Sequence, residues 1–401
     1  MKIGMVLDQL FPPDIRVEKE AGALLNAGFT VGLLAPSDGP HTPPVETTDA
    51  GLRIYRTPVP RPSAWSRQVK GLTLLERTWL KPLEEYVAEF RPDVLHVHDF
   101  PMVKTVLRVA GPRGLPVVAD LHENMPAAHR VWRASLDPVR RTKDALHHNY
   151  HLWRWHERRI LPLCARVIVV VPEAAERLYA FGLDRDRIVV VSNTEDETTF
   201  RLRPPAPDVL ERYRNRWVAT YVGSVGPHRG VDTAVRAAPL TARQIPGFRL
   251  LVVGVRNERQ IAPLQRIVRR LGAEESVEFV GWQSPDRVGA FLAASAACLV
   301  PHNDWEHTRT TVPHKLFQYM MAGKPVIVSD VRPLKRIIEE TGAGLVFKAN
   351  DHSDLARALV ELHHDPALGE ELGQKGRQAA TGSHAWRHDA RRLVELYRGL
   401  D

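Results

Sequence analysis

The sequence predicts an α/β protein built as two doubly wound parallel-sheet domains. Three observations carry this. Short Val/Ile/Leu-rich runs recur without clean polar alternation, helical patterns lie between them, and the whole series restarts after a proline-rich stretch. Strands buried on both faces of a parallel sheet read as such continuous apolar runs.

The first series is Ile3–Leu7, Thr30–Leu34, Val94–Val97, Val117–Asp120, Val167–Val171 and Ile188–Ser192. A helical stretch from Ile15 to Ala27, capped by Gly28, joins the first two as a strand–helix–strand unit. The second series is Trp217–Val222, Phe248–Val253, Ser276–Val280, Ala297–Val300, Pro325–Val328 and Gly344–Val346. The join is expected at Arg201–Asp208, where Pro204, Pro205 and Pro207 make a stiff linker. This gives domains over 1–203 and 209–380. The remaining 381–401 holds an amphipathic helix, Ala385–Leu400, with Trp386, Leu393, Val394 and Tyr397 toward one side; it is expected to pack back on the first domain. Open α/β sheets bind ligands outside the carboxyl ends of their strands, so chemistry is expected in a cleft where the two domains face each other.

Composition bounds the function classes. With 401 residues, 44% hydrophobic and 25% charged, the chain reads as globular rather than disordered. Its net charge of +8 favours anionic partners, and the excess of arginine over lysine suits phosphate. Met1–Asp8 reads as a first strand rather than a signal peptide, and no run approaches the ~18 apolar residues of a spanning helix. A cytoplasmic protein is expected, at most peripheral to the inner membrane face. Cys164 and Cys298 lie in separate apolar runs and read as buried, reduced thiols.

Two segments carry anion-binding chemistry. In Tyr221–Asp232 a strand ends in Gly223, and a loop containing Ser224 and Arg229 leads into a helix. Such a loop can turn N–H groups and a guanidinium toward a phosphate, or it is an ordinary turn with a solvated arginine. In Glu306–Val326 a hydroxyl-rich loop with Thr310 and Thr311 leads to a helix with Pro313 at its first position and Gly323 at its end. Lys315 and Gln318 share a face of that helix, where the dipole also favours an anion. At strand ends of the first domain stand His98 and Asp99, then Asp120, His122 and Glu123; Arg16 occupies the first turn of the first helix. Each of these reads equally as a ligand group or as a local polar network.

Taken together, these segments resemble retaining glycosyltransferase family 4. Gln318-Tyr319-Met320-Met321-Ala322-Gly323-Lys324-Pro325-Val326 is similar to its signature helix end, and Gly223–Gly230 to its donor-phosphate loop, with Arg229 where lysine is usual. Val191–Asp196 with Phe200 resembles the stretch closing the family's first domain, and Asp93–Asp99 its His-x-His strand end. The resemblance implies a GT-B fold of two Rossmann-like domains, the first for acceptor and the second for nucleotide sugar. It implies His98, Glu123, Arg229 and Lys315 as catalytic residues. Donor contacts fall on Gly223, Ser224, Arg229, Trp282, Thr310, Thr311, Lys315 and Gln318, and acceptor contacts on Arg16, Asp99 and His122. Thr310 and Gln318 stand where the family carries paired glutamates; Gln318 can still bond ribose hydroxyls.

The implied reaction needs no metal or cofactor. The donor is a nucleotide-diphosphate sugar, with UDP- or GDP-sugars favoured. The acceptor is a glycan, a lipid-linked glycan or a small molecule. Asp184-Arg185-Asp186 reads as a solvated turn rather than a metal site. The Arg130–Arg159 stretch, rich in Trp, Arg and His, reads as a surface helix with core tryptophans or as a contact for anionic lipid; Trp65, Arg67, Lys70 and Trp79 form a smaller such cluster. Nucleic acid is not an expected partner. Two alternatives stay open on the same fold: a binding or scaffold protein without turnover, and a nucleotide-sugar 2-epimerase.

Overall fold

The computed structural model describes residues 1–39, 41–58, 64–134, 136–198, 200, 206–255 and 257–400, and side chains among these except 64–68, 146, 285 and 286. Most of the expected linker, Arg201 to Pro205, and the side chains of Trp65 and Arg67 therefore lie outside the described residues.

The chain divides into two compact units, Met1–Ser192 with Arg387–Asp401, and Asn193–Trp386. The first contains an eight-stranded sheet. Its strands are β1 (Lys2–Val6), β2 (Thr30–Pro36), β3 (Val45–Thr47), β4 (Arg53–Thr57), β5 (Val94–His98), β6 (Val117–Leu121), β7 (Arg166–Val169) and β8 (Ile188–Val190). The order is β3-β4-β2-β1-β5-β6-β7-β8, parallel throughout except for β3 against β4. Strands β5 and β6 are buried along their whole length, as the unbroken apolar runs predict. Strands β3 and β4 form an edge that the sequence reading did not include. They carry Glu46, Arg53 and Arg56, and a short charged edge strand lacks the apolar run of a central one.

The second unit contains β9 (Trp217–Val222), β10 (Phe248–Val253), β11 (Val277–Gly281), β12 (Ala297–Val300), β13 (Val326–Ser329) and β14 (Gly344–Phe347). Their order, β11-β10-β9-β12-β13-β14, is that of a dinucleotide-binding Rossmann sheet, and every pair is parallel. Its core joins Tyr221, Leu250, Val252, Leu299 and Ile327 to the flanking helices.

The topology sets where ligands go. In each sheet the strand order reverses once, between β1 and β5 in the first and between β9 and β12 in the second. A crevice opens at the carboxyl ends at such a point.

The final helix, Trp386–Arg398, contributes Leu393, Leu396 and Tyr397 to the buried interior. Asp389 accepts from the Ser192 N–H at 2.8 Å, and the Arg392 guanidinium donates to the Val190 carbonyl, so the helix is bonded to the end of β8. The Arg130–Arg159 stretch is not one long helix. Asp137 and Asn149 cap new starts, which divides it among helices Met125–Arg133, Pro138–His147 and Tyr150–Ile160. Trp153 is core, whereas Trp132 and Trp155 are exposed. Among the described residues no helix is long and apolar enough to cross a membrane. Cys164 and Cys298 are buried free thiols, and burial pushes both up to about 12.

Candidate functional site

The second unit brings the Gly223–Gly230 loop and Lys315 together at its switch point. Strand β9 ends in Gly223, whose φ of 118° favours glycine. A Cβ there would stand 3.1 Å from Lys315 Nζ, so the missing side chain is what admits the amine. Gly230 closes the loop at φ 65°, and a Cβ on it would overlap the Pro301 carbonyl oxygen. The loop is sewn to the segment after β12: Asn303 donates its side-chain amide to the Pro227 carbonyl at 2.9 Å, and its backbone N–H to the His228 carbonyl at 3.0 Å. Two chain segments far apart in sequence are thus one rigid wall.

Into this wall point cations that lack anions. Lys315 lies in the first turn of helix His314–Met321, and no side chain caps that helix, which leaves first-turn N–H groups for a ligand. Pro313 stands just before the helix rather than at its first position. Although Lys315 is half-buried as a residue, its Nζ is sealed from solvent and has no hydrogen-bond partner among the described residues. The amine sits 3.8 Å from the centroid of the Tyr221 ring. Burial first, and the Arg229 charge second, hold its pKa well below the usual lysine value. Arg229 places Nη1 3.4 Å from His302 Nε2, and its Nε is unpartnered. Burial, Arg229, His307 and Lys315 push His228 down to about 2, and His302 is likewise lowered, so both rings are neutral. A positive potential without a counter-charge is what a phosphate would relieve.

The other residues expected to bind the donor are each held by local contacts. Ser224 offers its carbonyl to the Tyr221 hydroxyl. The Thr310 hydroxyl bonds the carbonyls of Glu306 and His307 at 3.2 and 3.1 Å, and Thr311 is buried beside it. Trp282 is 49% exposed on the rim of a cavity of about 440 Å³ shared with Val255, Ile261, Gln265, Phe279 and Gly281. Gln318 donates from Nε2 to Glu195 Oε2 at 3.0 Å. Sequence reading gave Glu195 no role; the structure returns a carboxylate to the position beside Gln318 from another segment.

The first unit gathers a separate polar cluster at its own switch point. Asp120, at the end of β6, is its hub. Arg16 donates from Nε and Nη2 to the two Asp120 oxygens at 3.0 and 2.7 Å, pairs with Glu20 at 2.9 Å, and donates to the Val191 carbonyl. Arg16 was expected to meet a phosphate or an acceptor. It is instead 3% exposed, its guanidinium turned onto the protein's own carboxylates. His122 Nε2 lies 2.6 Å from Asp120 Oδ2, and its Nδ1 lies 3.6 Å from Asp99. Burial alone would lower His122, but Asp99 and Asp120 override it and raise it to about 10. Burial, partly offset by His122 and aided by Glu123 and Asp120, raises Asp99 to about 6. Asp99 also holds φ 62°, strained for a residue with a Cβ. His98 is buried, its Nδ1 3.3 Å from Asp120 Oδ2 and its Nε2 without a partner among the described residues; burial lowers it to about 3, so it is neutral. Glu123 is half-buried next to Asp99 in the sequence-predicted place.

Glu20, His96, His98 and Asp120 each present one ligand atom within 4.8 Å of the others. The Arg16 guanidinium already bonds both carboxylates of that set, and a divalent ion would compete with it. Asp184 and Asp186 flank a turn at the amino end of β8, away from either switch point.

Comparison with known proteins decides the family. Residues 14–194 match the model for the glycosyl transferase 4-like domain, and residues 203–379 match the glycosyl transferases group 1 model. The chain belongs to the group 1 glycosyltransferases. Within that family it is 28% identical to a D-inositol 3-phosphate glycosyltransferase of Nocardia farcinica over 60% of this chain and 54% of that one. It therefore spans just over half the length of that relative. A second D-inositol 3-phosphate glycosyltransferase, from Pseudarthrobacter chlorophenolicus, is 24% identical over 96% of this chain and 89% of its own. The fold of this group 1 member is shared with sucrose-phosphate synthase of Thermosynechococcus elongatus, at a TM-score of 0.79 and 21% identity over 100% and 98% of the two chains. It is shared also with Anabaena HepE in complex with UDP and glucose, at 0.72 and 14% identity over 100% of both chains. These likenesses support the GT-B fold expected from the sequence.

Proposed function

We propose that the chain is a retaining, metal-independent glycosyltransferase that moves a sugar from a nucleotide-diphosphate sugar to an acceptor hydroxyl. The observation that carries this is the buried, unpartnered Lys315 amine beside Arg229 at the β9–β12 switch point. A diphosphate is the ligand whose charge and oxygen spacing such a pocket fits. The nucleobase goes to the cavity beside Trp282, and the ribose to Gln318 with Glu195. A UDP-sugar is the first donor to test, since HepE of the same fold was solved with UDP and glucose and with UDP-glucose.

In the reaction the bond between the anomeric carbon and the diphosphate oxygen breaks, and its electron pair stays on the diphosphate. Arg229, Lys315 and the first-turn amides take up that charge, which is the work a divalent ion does in other transferases. The acceptor oxygen bonds to the anomeric carbon from the face the diphosphate leaves, and its proton passes to a leaving phosphate oxygen. Glu123 and the Asp99–His122 pair of the first unit serve the acceptor. A phosphorylated polyol is the first acceptor to test, because relatives are named for one. Exposed Trp155 beneath Arg159, with exposed Leu163 nearby, supports peripheral contact with anionic lipid, tested by cosedimentation with phosphatidylglycerol vesicles.

A thermal-shift screen of UDP-, GDP-, ADP- and TDP-sugars, followed by NMR of the anomeric carbon during turnover, tests the reading. Stabilisation by at least one donor, reduced in Lys315→Ala, and a product with the donor's anomeric configuration are expected. Binding without turnover on any acceptor selects the scaffold alternative, and epimerisation without acceptor selects the 2-epimerase.

A further inference from the structure

The cluster around Asp120 continues beyond the groups the mechanism uses. Tyr397, on the last helix, places its hydroxyl 2.5 Å from His96 Nδ1, across 301 residues of sequence. The ring is fully buried, and burial raises its pKa well above the usual phenol value, so the hydroxyl keeps its proton and donates it. His96 must then accept at Nδ1 and carry its own proton on Nε2. That nitrogen faces Glu20 Oε2 at 3.5 Å and Asp120 Oδ2 at 3.8 Å, both carboxylates that favour an N–H over a lone pair.

The same logic runs on to His98. Its ring centroid is 4.4 Å from that of His96, and its Nδ1 lies 3.3 Å from both the same Asp120 oxygen and His122 Nε2, whose own proton goes to Asp120 at 2.6 Å. Asp120 is charged, so His98 donates from Nδ1 and is left with a lone pair on Nε2. That Nε2 is buried and has no partner among the described residues. A buried acceptor without a donor is suited to a substrate hydroxyl.

We propose that Tyr397 is a positioning residue: its bond to His96 fixes the imidazole tautomers around Asp120 and keeps the His98 Nε2 lone pair available to accept from a sugar hydroxyl. The tautomer part stands on geometry alone, while the sugar contact rests on the transferase reading. Removing the phenol oxygen leaves His96 Nδ1 buried and unbonded. The ring then exchanges tautomers, at times turning a lone pair onto Glu20 and Asp120, and the Asp120 hold on His98 loosens.

The experiment uses the full chain with 15N-labelled histidine and the variants Tyr397→Phe, His96→Gln and His96→Leu. In the unaltered protein the imidazole nitrogen shifts should show His96 protonated at Nε2 and His98 at Nδ1. In Tyr397→Phe both should move toward tautomer mixtures. Its kcat should fall about tenfold or more with donor KM within about twofold, the scale of a lost positioning contact. His96→Gln should recover most of the rate, because its amide both accepts from Tyr397 and donates to Asp120; His96→Leu should not. Unchanged His98 shifts in Tyr397→Phe overturn the proposal, as does an unchanged kcat in a variant whose tautomers have shifted. A chain without transferase activity on any donor defeats the functional reading instead, and the spectra still decide the tautomer claim.

Discussion

The amine of Lys315 lies 3.8 Å from the centre of the Tyr221 ring, and no acceptor among the described residues reaches it. A lysine so placed costs the empty protein stability, since burial and then the Arg229 charge disfavour its ammonium form. Cation–π attraction returns only part of that. The arrangement makes sense as a pocket prepared for a ligand that brings negative charge.

Lys315→Met should therefore raise the Tm of the ligand-free protein by a few degrees while reducing the shift produced by nucleoside diphosphates. Paired thermal melts with and without UDP and GDP check both halves. A variant that melts lower and responds to ligand undiminished contradicts the assignment.

Diphosphate binding should be linked to proton uptake. Burial and Arg229 hold Lys315 low in the empty pocket, and a bound anion raises it again. A group whose pKa rises on binding strengthens binding as pH falls, so affinity should decline as pH increases above the empty-state value. Other groups facing the amine are Tyr221, kept neutral by burial, and His228 and His302, already lowered. Calorimetry in buffers of different ionisation heat should report net uptake, reduced in Lys315→Met.

Gln318 and Glu195 should behave as one unit. Gln318→Glu sets two carboxylates together and should destabilise by about 1–3 kcal/mol. Adding Glu195→Gln recreates the bond with the roles exchanged and should recover most of the loss. Chemical denaturation of the four proteins in the cycle measures the coupling, and simple additivity would argue that the contact is incidental.

Arg16→Met should destabilise the chain by about 3–5 kcal/mol, because it strands Asp120 and Glu20 in the interior without their cation. Denaturant unfolding measures this. A loss below 1 kcal/mol would point to an arginine held for ligand binding rather than for the fold.

Stability should also fall on the alkaline side. The folded-state pKa of His122 is raised to about 10, above its unfolded value, so its contribution is fully present below about 6.5 and is lost as pH rises through about 10. In His122→Gln the difference from the unaltered protein should shrink over that window in urea midpoints taken across it.

The sheets were legible because central strands of a parallel sheet announce themselves as apolar runs, and the loop and helix that carry Arg229 and Lys315 because glycines and a proline mark a loop and a helix start. Gly223, Arg229 and Lys315 do come together at the second unit's switch point. What the sequence hid depends on three-dimensional pairing. The edge strands β3 and β4 carry charges that mask their period. Arg16 looked like a ligand group because nothing in the sequence shows that Asp120, 104 positions on, waits for it. Glu195 accepts from Gln318, though 123 positions separate the two. Tyr397 reads only as the apolar face of a terminal helix until its hydroxyl is seen on His96.

The most direct test of the central claim is titration of UDP, GDP, ADP and inorganic pyrophosphate into the full chain, its Arg229→Ala variant and its Lys315→Met variant. At least one nucleoside diphosphate should bind the unaltered protein in the micromolar range, pyrophosphate should compete with it, and each variant should weaken it about tenfold or more. Equal affinity in all three proteins, or no binding by any of the four ligands, would contradict a diphosphate pocket at this place.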